Sequence, residues 1–314
     1  MRVLVTGATG QLGYDCLREC LKRDQEVIGS GLRFFGSTFT VRTVNQDQIT
    51  IAAVPYVQFD ISRLDQVYRA VEKNRPDVII HCAAWTDVNA AELPENREKV
   101  FSVNALGTEN VAKAARSVGA KMIYISTDYV FDGHGKLPWK PDDVPAPLNL
   151  YGRSKLEGEK KADRVLENLF VVRSSWAFGV NGRNFIRTML REGKTKDIVR
   201  VVDDQVGAPT YTLDLARFLL DLAETEEYGR YHVTNEGGYL SRYELCLKVF
   251  EKYGISTQVI PVTTKEFGVS PADRPLNSRL DTSRLLEKGF KPLPLVDDAI
   301  SRYLKEEMLL GNST

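Results

Sequence analysis

Tyr151 and Lys155 stand four residues apart, which sets a phenol and an ammonium one turn apart on the same face of a helix. An ammonium beside a phenol favours the phenolate and pulls down a pKa that is otherwise ~10, so the pair suits proton donation near neutral pH. Spacing alone proves little, because a chain with 13 tyrosines and 42 lysines and arginines carries such a pair or two by chance. Tyr14 with Arg18 is the other one here. Position separates them: only Tyr151 follows Ser126-Thr127-Asp128, the polar end of an apolar run, at the interval such an active site needs.

A second constellation, Gly7-Ala8-Thr9-Gly10-Gln11-Leu12-Gly13, comes directly after the apolar run Arg2–Thr6 and opens a helical segment. Glycines at these positions let the backbone approach a pyrophosphate with no Cβ in the way, while amides at the helix start face its charge. The turn therefore predicts a dinucleotide cofactor. About 20 residues further on, an NAD-preferring site offers an acid to the ribose hydroxyls. Here Ile28-Gly29-Ser30-Gly31-Leu32-Arg33 offers none. Arg33 and the small Ser30 point to the 2′-phosphate of NADPH, with NADH still usable through the pyrophosphate and nicotinamide contacts common to both. Asp60, followed by Ile61, stands where a carboxylate accepts from the adenine amino group or caps the helix starting near Ser62.

Those residues need a scaffold that brings strand ends together. Short runs rich in β-branched residues, Arg2–Thr6, Glu26–Ser30, Tyr56–Phe59, Val78–Cys82, Lys121–Ser126 and Phe170–Arg173, read as strands. Between them lie amphipathic segments such as Asp15–Lys22, Leu64–Lys73, Ala105–Val118 and Ser154–Leu166. This alternation predicts a doubly wound parallel-sheet α/β domain of the Rossmann type over residues 1–175. Beyond Ser175 the pattern loosens and Gly/Pro punctuation increases, as expected of a smaller, interleaved α+β substrate domain over 176–314. Thr212–Ala223 reads as a helix and Tyr231–Thr234 as a strand, so parts of 199–235 are free to return to the first domain. Arg33–Pro55 is too long for an ordinary connection. Its alternating runs Thr38–Val44 and Ile49–Val54, around Asn45-Gln46-Asp47-Gln48, predict a β-hairpin that stays on the surface and adds no strand to the parallel sheet.

Composition narrows the partners. The chain of 314 residues is 43% hydrophobic, as in ordinary globular proteins, and carries 42 Lys+Arg against 42 Asp+Glu. A net charge of zero gives no long-range attraction to nucleic acid or anionic lipid, so a small-molecule partner is expected. No apolar stretch approaches the ~18–20 residues that span a bilayer, and the opening apolar run is too short for a signal-peptide core. The expected location is cytoplasmic. Four cysteines are too few for a disulfide scaffold. Cys16 and Cys20 lie one turn apart with no histidine or third cysteine at ligand spacing, so they read as packing against the sheet. His81, mid-strand, reads as a core residue.

Taken together, the glycine turn, Cys82-Ala83-Ala84, Asn104, Ser126-Thr127-Asp128 and Tyr151-x-x-x-Lys155 resemble the extended short-chain dehydrogenase/reductase family. More narrowly, Ala83-Ala84-Trp85-Thr86-Asp87-Val88, Ser126–Gly133, Ala146–Gly152, Arg173-Ser174-Ser175-Trp176, Asn184-Phe185, Asp204–Thr210 and Arg274–Leu280 resemble the dTDP-4-dehydrorhamnose reductase branch of it. These segments span nearly the whole chain, and the Arg33–Pro55 insertion is the main departure. The resemblance implies hydride transfer from NADPH to the C4 carbonyl of dTDP-4-dehydro-L-rhamnose, with Tyr151 as proton donor. Lys155 would hold the nicotinamide ribose, and the Thr127 hydroxyl would bind the same carbonyl oxygen. Ala83, Ala84 and Asn104 would join the glycine turn (Gly7, Thr9, Gly10, Gln11, Leu12, Gly13) around the cofactor. Thr86, Val88, Asp128, Tyr129 and Trp176 would line the sugar pocket, with Asn184 and Arg274 towards the nucleotide. A monomer or homodimer is implied. Members of the family are reported to use magnesium at a dimer interface, and Asp15 or Glu19 could contribute. The carboxylate set is incomplete in this sequence, so no metal site is assigned.

Three alternatives stand beside this reading. A sugar-nucleotide dehydratase would resemble Thr-Asp-Glu where this chain has Thr127-Asp128-Tyr129, and lacks support for that reason. An epimerase is a second. The third is a non-catalytic NADP-binding regulatory subunit similar to the methionine adenosyltransferase beta subunit, which shares the glycine turn and the Asp-Tyr-Val-Phe-Asp-Gly run. The segments Ser174-Ser175-Trp176, Asn184-Phe185 and Asp204–Thr210 resemble the reductase instead.

Overall fold

A computed structural model describes residues 1–45 and 48–311. Its centre is an eight-stranded sheet. In chain order its first seven strands are β1 (Arg2–Thr6), β2 (Glu26–Gly31), β3 (Thr38–Asn45), β4 (Gln48–Gln58), β5 (Val78–His81), β6 (Lys121–Thr127) and β7 (Leu169–Ser174). The spatial order is Gly229–His232, β7, β6, β5, β1, β2, β4, β3, parallel throughout except for the β3–β4 pair. Such an order reverses at β1, and a crevice for a dinucleotide opens above the carboxyl ends of the strands on either side of that point.

The strands alternate as buried two-faced strands must. Val3 and Val5 face one core with Cys16, Leu17, Cys20, Ile80, Ile123 and Phe170, whereas Leu4 faces another with Ile79, Val71, Val111, Ala115 and Met122. The first helix, Gln11–Lys22, covers one face beside the helix Thr212–Ala223, whose Leu215 and Leu219 share that core. The strand Gly229–His232 pairs with β7, so chain beyond residue 175 does complete the first sheet. Residues from Phe178 to Leu304, including Val199, Val249, Phe250 and Ile300, gather into a separate core.

The Arg33–Pro55 segment forms the expected hairpin, with Thr38–Asn45 antiparallel to Gln48–Pro55. Gln46 and Asp47, at its expected turn, lie outside the described residues. The expectation that it adds no strand needs correction: β4 runs on without a break into the Tyr56–Gln58 ladder against β2, and β3 becomes the antiparallel edge of the whole sheet. Nor is it confined to the surface. Val41 and Val54 are fully buried in the first core, and the Tyr14 hydroxyl accepts from the Arg42 amide at 2.7 Å. Alternation placed apolar side chains on one face of the hairpin, and the first helix offered them something to cover.

Candidate active site

The glycine turn is held by backbone sterics. Gly7 has φ 66°, and a Cβ there would stand 2.7 Å from the Ala83 amide nitrogen; one on Gly13 would stand 2.2 Å from the Gly7 carbonyl oxygen. The turn therefore lies flush against the end of β5, as a pyrophosphate cradle requires. Gly10 takes the N-cap position of the first helix with no side chain on the exposed amides, which leaves them for an anion.

Above this turn opens a cleft of about 800 Å³. Its lining includes Gly7, Thr9, Gly10, Gln11, Leu12, Gly13, Asp60, Ile61, Ala83 and Ala84 at one end. At the other stand Thr86, Val88, Thr127, Asp128, Tyr129, Tyr151, Lys155 and Trp176. Most of the residues expected at the site thus share one cavity.

Tyr151 and Lys155 lie on the helix Leu150–Asp163, whose cap is Asn149: its Oδ1 accepts from the Gly152 amide at 2.8 Å. Tyr151 and Thr127, from the end of β6, are hydrogen-bonded through their hydroxyls. Thr127 Oγ1 also donates to Asp128 Oδ1 at 3.0 Å and accepts from the Tyr129 amide at 3.2 Å. The ring of Tyr129 meets that of Tyr151 edge-on, with centroids 5.8 Å apart.

The electrostatics differ from the expectation drawn from spacing. Burial pushes the Tyr151 phenol up, with the Thr127 hydrogen bond only partly opposing it, and Lys155 has no part in the shift. The Lys155 ammonium instead donates to the Ile125 carbonyl at 2.7 Å and lies 4.1 Å from the centroid of the Tyr124 ring. Burial brings Lys155 down to about 7, against the pull of Glu159 and Cys82. One helical face does not guarantee contact between two side chains when a strand carbonyl competes for the ammonium. A phenol held up in this way keeps its proton at neutral pH but is a weaker acid than free tyrosine, so its burial does not by itself tune it for proton donation. Beneath the helix, Glu159 binds Arg173 through two bonds of 2.9 and 2.7 Å and accepts from Ser126 at 2.5 Å, tying the helix to β6 and β7.

Four expected site residues stand elsewhere. Asn104 is buried behind the wall, where its Oδ1 accepts from the Trp85 amide at 2.7 Å and its Nδ2 donates to Ser154 Oγ at 2.9 Å. It ties the loop after β5 to the Tyr151 helix. Asn184 caps the helix Phe185–Thr195 and donates to Gln11 Oε1 at 3.2 Å, so it braces the glycine turn from behind. Arg274 spends its guanidinium on Ser270 and on Asn89 Oδ1, within reach of the Tyr129 hydroxyl. Arg33 is exposed just past the cleft-lining Leu32, while its carbonyl accepts from the Tyr56 hydroxyl at 3.0 Å. Asp60, by contrast, lines the cleft and also accepts from the amide and hydroxyl of Ser62 at 2.9 and 2.8 Å.

Other expectations resolve by contact. His81 is fully buried between Thr6 Oγ1 at 2.6 Å and Thr108 Oγ1 at 3.2 Å, and burial brings it down to about 3, so it is neutral. Cys16 and Cys20 pack in the first core. Asp15 accepts from Arg18 at 2.6 Å and Thr212 at 2.5 Å, and Glu19 accepts from Arg23 at 2.9 Å; arginines already balance both carboxylates. Among the described residues no group of three or more His, Cys, Asp or Glu is placed to hold a metal ion, and no helix is long and apolar enough to cross a membrane.

Sequence reasoning missed Arg183 and Arg242, both of which line the cleft. Arg242 begins the helix Arg242–Tyr253, more than 60 residues beyond the wall it joins. Its guanidinium lies over the Trp176 indole, 3.6 Å from the ring centroid. Trp176 has φ 49°, unusual for a large residue, and a Cβ on Gly207 would stand 2.9 Å from its ring. No local motif marks these residues, because the close approach is made by distant chain.

The sheet order, the glycine cradle and the Tyr151/Lys155 helix at the carboxyl edge define an NAD(P)-binding Rossmann protein of the short-chain dehydrogenase/reductase type. Within that class the chain belongs to the RmlD substrate binding domain family, whose model matches residues 1–309. It is 36% identical over 299 residues to a dTDP-4-dehydrorhamnose reductase of Mycobacterium tuberculosis, covering 93% of this chain and 88% of that one. It is 34% identical over 305 residues to the spore coat polysaccharide biosynthesis protein SpsK of Bacillus subtilis, covering 97% of each. Among solved structures, a dTDP-4-dehydrorhamnose reductase of Bacillus anthracis in complex with NADP superposes with a TM-score of 0.84 at 36% identity, over 97% of this chain and 99% of that one.

Proposed function

We propose that this protein is an NADPH-dependent oxidoreductase that reduces the C4 carbonyl of dTDP-4-dehydro-L-rhamnose, giving dTDP-L-rhamnose for rhamnose-containing polysaccharides. The observation that carries the reading is that Tyr151, beside Thr127 at the end of β6, faces the same cleft as the glycine cradle. The cradle fits a dinucleotide: it has no room for a Cβ, and its helix amides are uncapped. A bound reduced nicotinamide supplies the hydride. Gly7, Gly10 and Gly13 would hold the pyrophosphate, and Asp60 the adenosine end. Arg33 would reach the 2′-phosphate from the rim, with NADH as a weaker substitute. Lys155, brought down to about 7 by burial, would hold the nicotinamide ribose. Tyr151 gives its proton to the developing alkoxide, and Thr127, relayed to Asp128, orients that phenol. Thr86, Val88, Tyr129 and Trp176 would shape the sugar pocket.

Monitoring NADPH oxidation at 340 nm with enzymatically generated dTDP-4-keto sugar, in the presence of the epimerase that sets its stereochemistry, tests this. Turnover that requires both the sugar nucleotide and Tyr151 is expected. Tight NADPH binding without turnover would overturn the reductase reading in favour of a non-catalytic NADP-binding subunit.

A further inference from the structure

Arg242 is a charged group that the mechanism above does not use. It lines the cleft, and its flat guanidinium is stacked on Trp176 at 3.6 Å and lies 5.1 Å from the centroid of the Phe185 ring. Stacking fixes the plane of the fork without using any of its five N–H donors. Among the described residues no carboxylate pairs with it and no acceptor bonds it; Asp128 and Tyr129 act on it only through space, and burial holds it down to about 10. A half-buried guanidinium with no protein partner leaves its N–H donors facing the cleft, open to a ligand. Asp128 shows the complementary shortfall, since its Oδ2 is buried with no hydrogen-bond partner. The same wall thus presents open donors from Arg242 and an open acceptor from Asp128. A ligand bearing both an anion and a hydroxyl, such as a sugar phosphate, matches the two together.

We infer that Arg242 is the specificity-determining anchor for the diphosphate of the nucleotide sugar, docking it against Trp176 while the sugar reaches Tyr151. This rests on the nucleotide-sugar reading above and adds a residue to it. Arg274, the cation expected from the sequence for this task, is already engaged with Ser270 and Asn89. Arg242 is free, planar and suited to bidentate phosphate contacts.

The test is calorimetric titration of dTDP and of thymidine into protein saturated with NADP⁺, so that the cofactor's own pyrophosphate site is filled. Wild type should bind dTDP more tightly than thymidine. Arg242→Met, which keeps the apolar stem over Trp176, should weaken dTDP by about 10- to 100-fold and leave thymidine within twofold. In turnover, KM for the sugar nucleotide should rise far more than kcat falls. Arg242→Met binding dTDP as tightly as wild type would overturn the inference and leave the reductase reading intact. If wild type prefers UDP or GDP and Arg242→Met loses that preference, the inference holds and the thymidine assignment fails. Wild type that binds no nucleoside diphosphate overturns both. Should Arg242→Met not fold, salt reads the same charge in wild type: added salt should weaken dTDP and spare thymidine, and equal insensitivity overturns the inference.

Discussion

Replacing Asp128 by Asn should change the pH dependence of stability in a defined window. Asp128 is 3% exposed, accepts from Thr127 at Oδ1, and is held by burial at about 6, against 3.8 for a free aspartate. Well below pH 3.8 the carboxyl is neutral in both folded and unfolded chains and contributes nothing. Between pH 4 and 6 the unfolded chain ionises first while the folded protein keeps its proton, so wild-type stability falls as pH rises. Above pH 6 the penalty is complete. A shift of about two units at 1.36 kcal/mol each sets it at about 3 kcal/mol. The amide of Asp128→Asn cannot ionise and escapes this penalty. That amide places an N–H where Oδ2 lacks a partner, but the associated cost is the same at every pH and displaces the curve without bending it. Urea unfolding of wild type and Asp128→Asn from pH 4 to 8 should therefore give a difference that grows by about 2 to 2.5 kcal/mol in favour of the variant, most of it between pH 4 and 6. A constant difference, or one growing in the opposite direction, would refute the argument that burial dominates Asp128.

Tyr151→Phe should lower kcat by ~10²–10⁴ while sparing NADPH affinity, since it removes a positioned acid and leaves the cradle alone; stopped-flow hydride transfer and fluorescence titration of NADPH read the two separately. Arg33→Ala should weaken NADPH by about tenfold or less, because the rim is exposed, and leave NADH unchanged; titrating both cofactors at low and high salt checks this, and equal NADPH and NADH affinities in wild type would return Arg33 to an ordinary surface role. Val54→Ala should cost about 2 kcal/mol, the loss of two buried carbons with incomplete collapse, in a urea melt. An exposed excursion would lose almost nothing.

Much of the site was legible because its chemistry is local. A glycine turn needs only consecutive residues, and strand-end positions follow from apolar runs of period two. That is why Gly7, Thr127, Tyr151 and Lys155 fall where their spacing put them, in one cleft. The hairpin was legible as alternation, but its membership in the sheet was not, since Val41 and Val54 owe their burial to a helix more than 20 residues upstream.

By itself the sequence determined the α/β order of elements, the dinucleotide turn, and the pairing of a phenol with an ammonium on one helix. Tertiary structure decided which partners those groups take. Lys155 turns to the Ile125 carbonyl, which takes its ammonium at 2.7 Å in a buried pocket, and partial burial at the cleft wall holds the Tyr151 phenol up. Asn104, Asn184 and Arg274 are drawn into bracing bonds, while Arg242, unmarked by any motif, keeps its guanidinium open to the cleft. Spacing fixes which side chains share a face; burial and competing acceptors, set by chain from elsewhere, fix what each of them does there.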